Sequence, residues 1–238
     1  MATTELVKGV RASRSTIALK LLMAGSGIIF ILFVLVHMYG NLKAFGGRDS
    51  YDTYAEHIRT FGEPMLPHAG FLWILRVVLI VSLIAHVWAA LVLWRRASVA
   101  RTQKYQVKKN LSSSLSSRTM RWGGITLLVF VIWHLLEFTI VKINVGQGPT
   151  TDTHDPYNLL VDSFAPHAWW MTVIYLIAML ALGFHLHHGT FSACQTLGWT
   201  STASSRERAR VFGWVVAIVI AGGFSLVPLF TLFGVITK

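Results

Sequence analysis

Long apolar runs alternate with short polar stretches along the whole chain. The first opens after Lys20, continues without a charge to Val36, and places His37, Asn41 and Lys43 at its far end. Four more runs follow, and the pattern predicts helices over about 21–40, 68–94, 122–141, 167–191 and 211–236. Runs of this length are long enough to span the hydrocarbon core of a bilayer. The stretch 44–67 is polar and aromatic, is broken by Gly46, Gly47, Gly62, Pro64 and Pro67, and predicts a loop with one short interfacial helix. Residues 95–121 are basic and serine-rich, residues 142–166 read as a polar loop without arginine, and a short connection carries Arg206, Arg208 and Arg210. Residues 1–20 lack an apolar core followed by a cleavage site and read as a retained cytoplasmic segment. The expected fold class is all-α, an integral membrane bundle of five transmembrane helices occupying residues 21–238.

Charge turns this pattern into a topology. Only 13% of the 238 residues are charged, about half the share usual in a soluble domain. The net charge of +11 does not point to nucleic acid, because the cations lie between the apolar runs. Lys8, Arg11, Arg14 and Lys20 precede the first run, Arg95 to Arg121 join the second and third, and Arg206 to Arg210 join the last two. The opposite side holds Lys43, Arg48, Arg59, Lys142 and Lys238. Cytoplasmic loops collect lysine and arginine, so the N-terminus is expected in the cytoplasm and the C-terminus outside, in a multi-pass protein of the bacterial inner membrane. Cys194 is the only cysteine. A disulfide within the chain, a CxxCH haem attachment and an iron–sulfur cluster held by this chain alone are thereby excluded.

The first four helices carry histidines, and the topology sets their depths. At 1.5 Å per residue, His37 lies roughly 24 Å and His134 roughly 20 Å above the cytoplasmic ends of their helices. His86 and His185 lie only about 10–12 Å from that side. The histidines thus fall into an outer and an inner layer, each drawing on two helices. One intramembrane histidine is as well explained by a hydrogen bond to a neighbouring helix or by a polar cavity. Four, paired by depth, suit two haem irons with both axial positions filled by imidazole. A zinc site would gather three or four ligands at one point instead. Gly25, Gly27, Gly123, Gly124 and Gly183 fit either a macrocycle against the backbone or close helix contact. On the fourth helix His185 lies deepest in the apolar run and is the expected ligand, ahead of His188, while His187 points elsewhere.

With these residues in place the sequence resembles a family, the five-helix di-haem cytochrome b membrane anchor of succinate dehydrogenase and fumarate reductase, respiratory complex II. The resemblance is carried by the stretch from His37 through Asn41 to Lys43, YDTYAEHIR at Tyr51–Arg59, LWILR ending at Arg76, His86, the SSRTMRWGG approach to the third helix, WHLLEF around His134, and GFHLHHG at Gly183–Gly189. It implies that His37 and His134 bind a distal haem b, and His86 and His185 a proximal one. It further implies a flavoprotein and an iron–sulfur partner on the cytoplasmic face and a lipid quinone as electron acceptor. Menaquinone is preferred to ubiquinone, and succinate oxidation to fumarate reduction, from the family pattern alone. The expected function is transfer of electrons from the iron–sulfur subunit to quinone as a subunit of succinate:quinone oxidoreductase, with no catalysis of succinate chemistry by this chain alone. The alternatives are a histidine-based proton or metal transporter and a haem-free structural anchor.

Several other side chains have two readings each. Arg76 suits a propionate of the distal haem, or snorkels to the outer headgroups. Glu137, one turn past His134, suits a proton relay or a propionate contact, and equally a surface acid paired with Lys142. Tyr54, Glu56, His57 and Glu63 border the outer side, where they line a quinone pocket or merely the interface. Lys20, Arg118 and Arg121 serve the proximal propionates or simply set topology. The basic 95–121 stretch serves docking of the iron–sulfur subunit or orientation alone. Cys194 is expected to pack as a small apolar residue.

Overall fold

The structure, a computed structural model, describes residues 15–100, 115–140 and 155–238. The described residues are helical almost throughout. Helix α1 spans Thr16–Leu42, α2 Gly47–Thr60, α3 Gly70–Val99, α4 Leu115–His134, α5 Pro156–Phe164, α6 Trp169–Thr196 and α7 Ala203–Leu232. Five of these, α1, α3, α4, α6 and α7, are long and apolar enough to cross a membrane. Helices α1, α4 and α7 begin at one end of the bundle, the near end. Helices α3 and α6 begin at the other, the far end.

The helix starts are written in local chemistry. Ser15 caps α1 by accepting the Ala18 N–H, and Thr202 and Ser205 form a reciprocal capping box on α7. Large apolar side chains such as Leu32, Trp73, Ile80, Ile84, Trp88, Ile177 and Ile218 are exposed on the outside of the bundle. In water this would be a large sticky surface, whereas in a bilayer it faces acyl chains.

The stretch 44–67 is more ordered than the loop expected there. A 3₁₀ turn at Lys43–Gly46 leads into the fourteen-residue α2, and Gly47 makes the junction with a φ of +77° that disfavours any residue with a Cβ. The last part of the expected 142–166 loop is the helix α5, started by Asp155 as cap and Pro156 in its first turn. Tyr157 and every residue from Leu159 to Phe164 are buried, so α5 plugs the far end. Its ties are polar. Tyr157 donates to the Thr237 carbonyl at 2.8 Å, Asp162 pairs with Lys238 at 2.8 Å, and Arg48 of α2 bonds both Asp155 and Asn158. Residues 1–14, 101–114 and 141–154, with Lys142 and most of the basic stretch, lie outside the described residues.

The main core sits at this far end. Tyr157, Leu160, Val161 and Phe164 of α5 meet Met171 and Tyr175 of α6 and Val227 of α7 there. A smaller cluster, Leu186, Ala217 and Ile220, joins α6 to α7 at mid-bundle. Helix α1 packs on α3, α6 and α7, and α4 packs on α6. Helices α1 and α4 do not pack closely on each other, and neither do α3 and α6.

Candidate functional site

The four histidines meet in two pairs. At the far level His37 of α1 and His134 of α4 face each other, ring centroids 5.8 Å apart and planes at 78°. At the near level His86 of α3 and His185 of α6 lie 6.2 Å apart at 52°. Two rulers give the spacing between levels. Tyr175, in contact with His134, is ten residues before His185 on α6, and Ser26, in contact with His86, is eleven before His37 on α1. Both convert to about 15–16 Å along the helix axis.

Aromatic rings enclose the far pair. Phe33 stacks on His37 at 5.4 Å and 10°, and Phe224 lies 5.6 Å from it. Phe130 and Phe138 flank His134 at 5.9 and 5.3 Å. The near pair has one phenylalanine beside it, Phe30 edge-on to His86 at 5.9 Å, and a glycine next to each ring. A Cβ on Gly27 would stand 3.6 Å from Cε1 of His86, and one on Gly124 would stand 3.7 Å from Cε1 of His185. Gly123 and Gly183 instead face Ala181 and Ala221, which is helix-to-helix contact. A Cβ on Gly25 would meet nothing within 4 Å. A cavity of about 220 Å³ opens between α4 and α6 at this level, bordered by Met120, Gly123, Thr126, Ala181 and His185.

Hydrogen bonds assign the tautomers of two of the four rings. Ser26 donates its hydroxyl to the Leu22 carbonyl at 2.7 Å, so at 3.0 Å from His86 Nδ1 its oxygen accepts. The proton is then on Nδ1 of His86 and the lone pair on Nε2. Tyr175 donates to Glu137 Oε2 at 3.2 Å and stands 3.1 Å from His134 Nδ1, which assigns His134 in the same way. Each ring thus turns a lone pair away from its own hydrogen-bond partner, as a metal-bound histidine does.

The donor set fits an iron held between two imidazoles. Two rings sharing one iron are separated by two bonds of about 2 Å plus the ring radii, so about 6 Å between centroids, and both pairs have that spacing. Each pair also bridges two helices that do not pack closely, which leaves width for a flat ring. Among the described residues no group of three or more histidines, cysteines or acids is arranged around a single ion.

The remaining candidates distribute unevenly. Glu137 is not a surface acid. It is completely buried, on a π-helical turn at Leu135–Thr139, with Tyr175, Trp133 and Ser163 around its carboxyl. Arg76 is exposed, with its guanidinium 4.8 Å over the Trp73 ring. His187 is buried and stacked on Trp214 at 4.1 Å, so it serves the α6–α7 contact, while His188 is half-buried. Tyr54 packs against Gly40, where a Cβ would come within 2.5 Å of its ring. Glu56 pairs with Arg59, Glu63 with His68, and His57 packs on Phe61. Lys20 is exposed, Arg121 lies over Trp94, and Cys194 is buried. Ser26 and Tyr175 were not singled out from the sequence. A hydroxyl in an uncharged run, and a tyrosine level with His134 by residue count, were the available signals.

Over residues 94–225, more than half of its length, the sequence matches the succinate dehydrogenase/fumarate reductase transmembrane subunits. The chain belongs to this family. Neither a comparison with curated proteins nor one with solved structures finds a match. As a succinate dehydrogenase/fumarate reductase transmembrane subunit, it is part of an enzyme complex and works with partner subunits. The matched stretch holds His134, Glu137, Tyr175 and His185, while His37 and His86 precede it.

Proposed function

We propose that this transmembrane subunit is a di-haem b electron-transfer anchor, passing electrons from an iron–sulfur subunit to a membrane quinone in a succinate:quinone oxidoreductase. The observation that carries the reading is the pair of facing imidazole sites at two depths of one bundle. His37 and His134 are the proposed ligands of the distal haem, and His86 and His185 those of the proximal haem. When bound, such an iron exchanges single electrons and, with both axial positions filled, has none open for oxygen. The chain supplies the four imidazoles, aims two through Ser26 and Tyr175, and surrounds the far pair with phenylalanines that exclude water.

The lysine and arginine distribution supports a cytoplasmic near end. The flavoprotein and iron–sulfur subunits then dock there, beside the proximal site, and quinone reacts toward the far end. Menaquinone is the proposed acceptor, and the bacterial inner membrane the location. Arg76, exposed beside Trp73 on α3, is the proposed contact for a propionate of the distal haem.

A reduced-minus-oxidised absorption spectrum of the purified complex tests the proposal. Two resolvable b-type components are expected. A colourless membrane subunit would refute it and return the choice to a transporter or a structural anchor.

A further inference from the structure

The far and near histidine pairs are held differently from behind. His86 rests on Ser26, whose own proton goes to a main-chain carbonyl. His134 rests on Tyr175, and Tyr175 donates to a carboxyl oxygen of Glu137. Nothing in the proposed function needs a fully buried acid here. A carboxylate inside an apolar bundle is costly unless it is paired or hydrogen-bonded. The chain nevertheless places Glu137 there on a π-turn, a departure from α-helical geometry that often marks functional positions, closed by the Ile140 N–H reaching the Leu135 carbonyl at 2.8 Å.

Tyr175 is fixed from several sides. Phe130 and Phe164 meet its ring edge-on at 4.9 and 4.8 Å, and the phenol is buried in the far-end core. Its hydroxyl therefore has a defined position between the two polar groups it touches. Donation to a carboxyl oxygen makes a phenol oxygen a stronger acceptor, because hydrogen bonds in a chain polarise one another. An imidazole whose Nδ1–H is held by such an acceptor becomes a more basic ligand at Nε2.

We propose that Tyr175 and Glu137 are positioning residues for His134, forming a carboxyl–phenol–imidazole chain that fixes its tautomer and strengthens its donation to the metal at the far site. The proposal rests on the haem ligation proposed above. A more basic axial ligand favours ferric over ferrous iron, so this chain lowers the reduction potential of the far haem and leaves the near one untouched.

The test is a potentiometric titration of the two haem components in the intact purified complex, with electron paramagnetic resonance of the oxidised haems. Tyr175→Phe removes the link while keeping the ring packing. At fixed ambient potential it is expected to raise the reduced-to-oxidised ratio of the far component about tenfold, which is a 59 mV upward shift for one electron, with the near component unmoved. Glu137→Gln, which keeps the shape, is expected to shift the same component in the same direction by less. It should add nothing in the Tyr175→Phe background, since it acts through the phenol. Ser26→Ala, the mirror control, should move only the near component. If Tyr175→Phe does not assemble, Glu137→Gln alone decides by moving or not moving the far component. Haem bands with an unmoved far component, equal movement of both components, or an undiminished Glu137→Gln effect without the phenol would each overturn this proposal alone. A wild-type complex without haem would overturn the ligation with it.

Discussion

Gly213 and Gly183 make a matched test of how closely α6 and α7 approach. A Cβ on Gly213 would stand 2.8 Å from the backbone oxygen of His187, which cannot rotate aside. A Cβ on Gly183 would stand 3.6 Å from the Cβ of Ala221, an ordinary contact. Gly213→Ala therefore forces the helices apart by roughly 0.5 Å to recover normal contact. Overpacking of this kind costs about 1–3 kcal/mol. Each alanine also gains about 1 kcal/mol of helix propensity over glycine. That gain is common to both variants, so Gly213→Ala should be less stable than Gly183→Ala by the overpacking term alone, about 1–3 kcal/mol. The assay is titration of the purified complex with denaturing detergent, followed by loss of helical circular dichroism. Since His187 is two residues from His185, the occupancy of the proposed near haem is a second readout. Equal stability of the two variants, or a more stable Gly213→Ala, would refute the packing described between α6 and α7.

Replacing His37 or His134 by alanine should remove one haem component, and replacing His86 or His185 the other. A difference spectrum in which His37→Ala and His86→Ala lose the same component would break the pairing. At the far end, burial pushes the Asp155 carboxyl up, but the Asn158 N–H and the Arg48 guanidinium outweigh it and hold the carboxyl below its ordinary range. A carboxylate lowered on folding stabilises above its unfolded pKa and loses that contribution as pH falls through the folded value. The protection factors of the α5 amides, with intrinsic exchange divided out, should accordingly fall below about pH 4, and Asp155→Asn should abolish that pH dependence. Succinate respiration through the complex in sealed vesicles should fall with a protonophore while succinate oxidation by a soluble dye persists. The two levels are separated by about half of the hydrocarbon thickness, so outward electron movement between them gains about 1.2 kcal/mol per electron per 100 mV. Unchanged quinone-linked activity would remove outward transfer as the route.

The membrane bundle and the two histidine levels were legible because both depend on counting along a straight helix. An uncharged run announces its own burial in lipid, and depth follows from residue number without knowing any neighbour. Helices extend beyond the apolar pattern where their first turns are polar, as with Thr16 and Lys20 in α1 or Ser204 to Arg210 in α7. Helix α5 hides in the pattern although Asp155 and Pro156 mark its start, since nine residues carry too little periodicity to stand out from a loop. Glu137 was unreadable for a different reason. Its burial is made by Ser163 of α5 and Tyr175 of α6, and no pattern within its own helix reveals partners that arrive from elsewhere.

Helix α1 carries Ser26 toward the near site and His37 into the far one. Eleven residues are almost a whole number of turns, so both project from nearly the same face. The segment between them acts as a gauge bar. Exchanging one lipid-facing apolar residue for another there leaves the setting unchanged, but inserting or deleting a single residue would turn His37 by about 100° relative to Ser26. The tolerance of this protein to change is therefore lopsided, loose in the identity of its lipid-facing side chains and strict in the number of residues between its two levels.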